Sequence, residues 1–170
     1  MKLILPALLI AATSFAQTGT DQLKTLSGFV GNWKCNGKAF ASEMGPEHST
    51  SATVNGKWTL NARWLEMRYN EDKNSKNPNP FALVAYWGWD EGKKKLVAGS
   101  VDSMGGYAIQ ETSGWNGDEL AFEGPSHMGS MTMNTRDVFT RKSDSEITHA
   151  GYVADATGGW KKLDEETCKK

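Results

Sequence analysis

Three histidines are the side chains of this sequence best suited to acid–base chemistry or metal ligation, and they are widely separated along the chain. His48 and His127 lie in segments rich in glycine, proline and serine, which predict exposed loops. His149 lies within the strand-like run 147–151. It would ligate haem iron if it faced an apolar cavity, and otherwise it would be hydrogen-bonded within a wall. Haem is therefore a hypothesis that depends on His149, and no other cofactor or metal is predicted.

Charged side chains inside strand-like runs are a second group of candidates. Arg68 follows Glu66 closely, and Arg136 stands beside Asp137. A guanidinium that faces a barrel interior needs an acidic partner, and a ligand carboxylate is one such partner. The alternatives are an internal ion pair with Glu66, Asp102 or Asp137, or an outward-facing ladder of charges.

Aromatic and methionine side chains form the third group, since flat and flexible apolar surfaces suit small ligands of varied shape. Its members are Trp58, Trp64, Trp87, Trp89, Tyr107, Met131 and Met133. We predict that all of these residues except Trp89 bind a small apolar or amphipathic molecule. Arg68, Arg136 and His149 are predicted to bind it as well. The alternative is that they fill a small barrel.

Motifs of known enzyme classes are missing from the sequence. The segment 124–129 is not a nucleophile elbow, and neither a His-Glu-x-x-His zinc motif nor a phosphate-binding glycine loop occurs. Catalytic groups can converge from distant strands, so enzymatic activity stays open, with binding as the favoured function.

Length and charge limit the classes of protein that the chain can represent. Its 170 residues suit one domain, and the formal net charge of −1 provides no basic surface for nucleic acid or anionic membranes. Residues 1–16 combine Lys2, an apolar run and small residues before Gln17, which is typical of a secretory signal peptide. The apolar run is too short to cross a bilayer. We therefore predict a single domain, 17–170, in the periplasm or outside the cell.

Two cysteines, Cys35 and Cys168, lie near the two ends of the predicted mature chain. In an oxidising compartment an even pair indicates a disulfide, whose Cα atoms would lie about 4.4 to 6.8 Å apart. The alternative is two free, buried thiols. A bridge would join the first strand of the domain to the last.

Hydrophobic periodicity predicts an all-β fold with a short N-terminal helix. Residues 21–29 have helical spacing, and the chain after Gly31 divides into about ten strand-like runs separated by turn residues. Such short connections predict an up-and-down antiparallel barrel. Asn55-Gly56 is the strongest hairpin signal, but turning at Asn61-Ala62 leaves better matched strands, so we interpret Asn55-Gly56 as a bulge. The segments 71–80 and 124–129 are predicted to be rim loops.

The opening Gly31-Asn32-Trp33, preceded by a short helix, resembles the calycin superfamily of lipocalins, fatty-acid-binding proteins and nitrobindins. A closer resemblance is to a bacterial lipocalin-like family of unknown function, DUF1579. The segments that carry it are 29–35, 45–48, 77–81, 86–89, 136–141 and 163–168. The family has no established activity.

The calycin resemblance implies a calycin-type cup that holds a small molecule and a basic side chain stacked over Trp33. Arg141 is the first candidate for that side chain, and Lys161 is the second. Nitrobindins bind haem through a barrel histidine and open with Gly-x-Trp-x-Gly-x-Gly. Cys35 replaces the middle glycine of that motif here, which weakens the haem hypothesis.

Three functions follow from the sequence. The first is an exported barrel that binds a small, largely apolar molecule. The second is a haem-binding or small-molecule-converting enzyme that uses His149, and the third is an envelope interaction module with a filled barrel. The sequence does not predict an oligomeric state.

Overall fold

The computed structural model describes residues 19–43, 45–73 and 77–170, so the predicted signal peptide lies outside the described residues. The described chain begins with the helix α1, Gly19–Lys24, and a 3₁₀ turn, Ser27–Phe29. Leu23, Leu26 and Phe29 are buried, as their helical spacing predicts. This short segment covers one end of the barrel, which we call the closed end. No helix among the described residues is long and apolar enough to cross a membrane.

The rest of the described chain is almost entirely β-structure, because aromatic, β-branched and glycine-rich runs alternate with short turns. The strands are β1 Gly31–Ala39, β2 His48–Thr59, β3 Trp64–Glu71, β4 Ala82–Asp90, β5 Lys95–Asp102, β6 Tyr107–Thr112, β7 Trp115–Asn116, β8 Glu119–Met128, β9 Met131–Ser143, β10 Glu146–Ala154 and β11 Trp160–Lys169. Strands that follow each other in sequence pair antiparallel, apart from β6 and β7, which confirms the predicted up-and-down order.

Two pairings between strands that are not neighbours in sequence complete the barrel. β1 pairs with both β2 and β11, and β6 pairs with β8 past the two-residue strand β7. The result is a closed barrel of ten strands, with β7 as an added hairpin. The predicted rim loop at 124–129 is wrong, because residues 119–128 form β8 and the chain turns at Gly129-Ser130. Both of the histidines that were predicted in loops are also in strands, His48 in β2 and His127 in β8.

The β2–β3 turn lies where the strand lengths predict it, with positive φ at Leu60, Asn61 and Ala62. The predicted bulge at Asn55-Gly56 is wrong, because the register of β2 with β1 and β3 is continuous there. Gly56 has a different role. A Cβ at this position would lie 2.2 Å from the carbonyl oxygen of Phe29, so only glycine lets the 3₁₀ turn pack against β2.

Side chains fill the closed half of the barrel interior. Leu65, Leu96, Leu120 and Phe122 are almost completely inaccessible, and Trp87 contacts both Phe122 and Phe29. Alternation along each strand directs these residues inward. These side chains form the hydrophobic core of the barrel.

The disulfide between Cys35 and Cys168 joins β1 to β11, as the cysteine pair predicts. The two residues are direct partners in the register of the strands, and their Cα atoms are 4.0 Å apart. This distance lies below the predicted range.

The basic side chain over Trp33 is Lys170, whose Nζ lies 4.7 Å from the ring centroid. The prediction of Arg141 is wrong. Its guanidinium lies 4.2 Å from the ring of Trp115 instead, because the β7 hairpin places Trp115 over the end of β9. The second candidate, Lys161, is also wrong, since it is exposed and pairs with Val153 at the other end of the barrel.

Candidate ligand site in the open half of the barrel

The open half of the interior contains a histidine held by two carboxylates. His149 faces inward from β10, and its Nε2 lies 2.9 Å from Oδ1 of Asp137 on β9. Its Nδ1 lies 3.3 Å from Oδ1 of Asp164 on β11. The ring of Phe139 packs against the imidazole, and the centroids of the two rings are 4.8 Å apart. Both ring nitrogens thus face acceptors, which is the arrangement expected of an imidazolium.

The pKa of His149 is raised well above its ordinary value of 6.5. Burial is the largest single influence and lowers this pKa, but the hydrogen bonds and charges of Asp137 and Asp164 together outweigh it. His149 therefore carries a positive charge at neutral pH. Two acidic neighbours more than compensate that charge.

Asp137 connects the imidazolium to polar groups on the neighbouring strands. Its Oδ2 accepts a hydrogen bond of 2.7 Å from Gln110 Nε2, and Gln110 also donates to Thr135 Oγ1 at 3.1 Å. Burial raises the pKa of Asp137, but the bond and charge of His149 and the bond from Gln110 bring it below 3.8. Asp137 is therefore the ionised partner of His149.

A second acidic cluster lies beside the first. Glu166 Oε1 accepts hydrogen bonds from Thr50 Oγ1 at 2.7 Å and from the Tyr69 hydroxyl at 2.8 Å. Burial, and then the negative charges of Glu166, Glu71 and Asp164, raise the pKa of Tyr69. The phenol therefore stays protonated and acts as a donor. A carboxylate oxygen of Glu166 also lies within 4.8 Å of both cysteine sulfurs, but these are bonded to each other and offer no thiolate to a metal.

Glu71 ties the predicted rim loop to the barrel wall. Its Oε2 accepts hydrogen bonds from Asn77 Nδ2 at 2.6 Å and from the backbone N–H of Phe81 at 3.0 Å. Its Oε1 lies 3.4 Å from His48 Nε2. Residues 74–76 of the predicted loop lie outside the described residues.

The two clusters make the open half acidic and accessible to water. Four carboxyl side chains, of Asp137, Asp164, Glu166 and Glu71, line this half together with the imidazoles of His149 and His48. The side chains of Asp137 and Asp164 are each 35 % exposed and that of His149 is 21 % exposed, although all three point into the barrel from its strands. Solvent therefore enters the open half, which we call the cup.

Comparison with known proteins agrees with this architecture. The family described as "Protein of unknown function (DUF1579)" has a model that matches residues 18–170. The chain belongs to this family. No curated protein shows significant sequence similarity to it. The closed ten-strand barrel of this DUF1579 protein is consistent with a lipocalin-like, calycin-type fold.

The nine residues that the sequence predicts for ligand binding do not meet in one place. In this DUF1579 protein His149 lies in the cup, and Met133 lies on the same face of β9 as Thr135 at the open rim. Trp58 and Trp87 face inward in the closed half. The remaining side chains lie on the outer wall or are exposed, namely Trp64, Arg68, Tyr107, Met131 and Arg136.

The two arginines form ion pairs on the outer wall. Arg68 Nε lies 2.6 Å from Glu66 Oε1, and Arg136 lies 3.2 Å from Glu123 and 3.6 Å from Glu119. The sequence left three possibilities open for these arginines, and the ion pairs match the outward-facing ladder of charges. Neither guanidinium faces the cup.

Sequence interpretation missed the acidic residues of β11. A disulfide places Cys168 on the same face of the sheet as Cys35, which shares the strand phase of Trp33, the predicted plug of the barrel. The two-residue period of a strand then directs Glu166 and Asp164 to that inner face as well. That signal is present in the segment 163–168 and would have identified both carboxylates.

The cup of this DUF1579 protein does not fit axial haem ligation by His149. Each ring nitrogen already faces a carboxylate oxygen, so iron could bind only after Asp137 or Asp164 moved away. The carboxylates that line the cup would also favour a cationic group over the negatively charged propionates of haem.

Proposed function

We propose that this DUF1579 protein is an exported binding protein whose cup holds a small amphipathic molecule with a cationic or strongly hydrogen-bond-donating group. The observation that carries the proposal is the carboxylate of Asp164. It is 35 % exposed inside the barrel, and the only hydrogen bond or ion pair described for it joins one oxygen to His149. A donor group of a ligand would complete its coordination.

The charge of the cup supports the same chemistry. Asp137 is engaged by His149 and Gln110, and Glu166 is engaged by Tyr69 and Thr50. Asp164 thus combines partial exposure with a second oxygen, Oδ2, that accepts no hydrogen bond from the described residues. An ammonium or amidinium group would find a net negative potential there.

The wall beside these carboxylates is partly apolar, so an amphipathic ligand fits better than a fully polar one. Phe139, Met133 and Val153 share the inward phase of β9 and β10 and are half-buried. A largely apolar ligand, as the sequence alone predicts, would leave Asp164 without a partner and desolvate it at a cost.

Export is part of the proposal and is supported by two features. Residues 1–16 have the composition of a secretory leader, and the Cys35–Cys168 disulfide is compatible with an oxidising compartment.

Isothermal titration calorimetry with octylammonium, octanoate and octanol tests the proposal. We expect octylammonium to bind best, and Asp164→Asn to weaken it by about tenfold or more, as for a lost charged hydrogen bond. Asp118→Asn makes the same chemical change in the exposed 117–118 turn and should leave binding unchanged. Octanoate binding as tightly as octylammonium, no binding of any probe, or equal binding by the two variants would contradict the proposal.

A further inference from the structure

A second concave site lies at the closed end, on the far side of the filled core from the cup. It is a groove of about 640 Å³ between α1 with its 3₁₀ turn and the adjoining ends of β9 and β10. Its lining residues are Lys24, Thr25, Ser27, Gly28, Trp115, Gly117, Arg141, Ser143, Asp144, Ile147 and Lys170. Among the side chains of these residues, three carry positive charge and one carries negative charge, so the side chains of the groove are cationic on balance in a chain whose net charge is −1.

Two of the three cations have no acidic partner among the residues that the structure describes. Within the described residues, neither Arg141 nor Lys170 takes part in an ion pair, although most other charged side chains of the barrel walls do. Lys24 pairs with Asp21 at 3.2 Å, and both of those side chains are largely exposed. The groove therefore offers two uncompensated charges and a third that is weakly held.

Aromatic rings hold both free cations in place. The guanidinium of Arg141 lies 4.2 Å from the centroid of Trp115, and Nζ of Lys170 lies 4.7 Å from that of Trp33. Trp115 is itself held in place by two contacts. Its Nε1–H donates a hydrogen bond of 3.2 Å to the carbonyl of Thr25, and its ring stacks on that of Phe29 with the centroids 5.9 Å apart. Cations ordered in this way lose less conformational entropy on binding an anion than mobile surface lysines do.

We propose that this groove binds a small molecule that carries an oxyanion, a phosphate monoester or a carboxylate, on an apolar group. Arg141 and Lys170 hold the oxyanion, and the partly exposed ring of Trp115 contacts the apolar group. Arg141 is the principal ligand because its planar fork pairs with two oxyanion oxygens at once. The site is independent of the cup, whose acidic lining selects ligands of opposite charge.

Titration with phenyl phosphate, followed by ¹H–¹⁵N NMR of the tryptophan indole and arginine Nε–H signals, tests the proposal. The indole N–H of Trp115 and the Nε–H of Arg141 should shift together and saturate. Benzoate in a parallel titration distinguishes a carboxylate site from a phosphate site, and phenol is the uncharged control.

Arg141→Gln should weaken the binding of phenyl phosphate or benzoate by about tenfold or more. Lys142→Gln removes the next charge along β9, which lies outside the groove, and should leave the affinity unchanged. Lys170→Gln keeps the test decisive if Arg141→Gln does not fold, because Lys170 is exposed at the end of the described chain. Shifts equal to those produced by phenol, shifts that do not saturate, or equal affinities of wild type and the folded groove variants would overturn the proposal.

Discussion

The imidazole of His149 and the carboxylate of Asp137 form an ion pair inside the barrel, with Nε2 and Oδ1 2.9 Å apart on the adjacent strands β10 and β9. Asp164 approaches the other ring nitrogen from β11, so one imidazolium joins three strands. The pair therefore both stabilises the wall and sets the charge of the cup.

The first prediction concerns the dependence of stability on pH. Because the pKa of His149 is raised in the folded state, its contribution to the free energy of unfolding is present below 6.5 and is lost as pH rises through the raised value. The pKa of Asp137 is lowered, so its contribution is present above 3.8 and is lost as pH falls through the lowered value.

NMR titration of the His149 ring checks the alkaline side of this prediction. We expect its midpoint well above 6.5 in the wild type. In Asp137→Asn the midpoint should fall, and in Asp118→Asn it should not change. A midpoint at or below 6.5 in the wild type would show that the two carboxylates do not hold the imidazolium.

The second prediction concerns the disulfide. Cys35 and Cys168 are 133 residues apart, so the chain-entropy argument gives the bridge a stabilising effect of up to about 5 kcal/mol. Urea unfolding with and without reductant measures it. The double variant Cys35→Ser, Cys168→Ser should match the reduced wild type and show no further response to reductant. A reduced protein as stable as the oxidised one would contradict the role of the bridge.

The third prediction concerns Trp33, which is 3 % exposed and donates from Nε1 to the carbonyl of Phe29 at 3.0 Å. Trp33→Ala should lower the free energy of unfolding by about 3 to 5 kcal/mol, since it opens a cavity at the closed end. Trp160→Ala is the matched control, because that ring is 37 % exposed, and it should cost much less. Similar losses in the two variants would argue against Trp33 as the plug of the closed end.

The fourth prediction concerns Gly56. Gly56→Ala would place a Cβ 2.2 Å from the carbonyl oxygen of Phe29, so the 3₁₀ turn must shift, at a cost of about 1 to 3 kcal/mol. Gly99→Ala is the control, since a Cβ at that strand position meets no atom within 4 Å. Chemical denaturation of the two variants measures the difference. An unchanged stability in Gly56→Ala would mean that the 3₁₀ turn is not packed against β2.

Much of the fold could be predicted from the sequence, because strand alternation and turn residues are local signals. The turn at Asn61 follows from matching strand lengths, whereas Gly124-Pro125 misled because a proline predicts a loop. Pro125 is tolerated in β8 since it lies at the seam with β6, where only three residue pairs are formed. Such a seam is a property of barrel closure and leaves no local signal.

The site was harder to predict, because the strands carry charges on both phases. Arg68 and Arg136 face outward while Asp137 and His149 face inward, and neighbouring polar residues do not reveal which phase is buried. Arg141 stacks on Trp115 because the β7 hairpin brings these two residues together, although they are remote from each other in sequence. The disulfide provided one long-range constraint, because it places Cys35 and Cys168 on the same face of the sheet.

A crystal structure of the protein grown with octylammonium tests the central claim most directly. The proposed function predicts the ammonium nitrogen about 2.8 Å from the carboxylate of Asp164, with the alkyl chain along Phe139 and Met133 in the cup. An ammonium group bound outside the barrel, or a cup closed over by its own side chains with no amine inside, would contradict it.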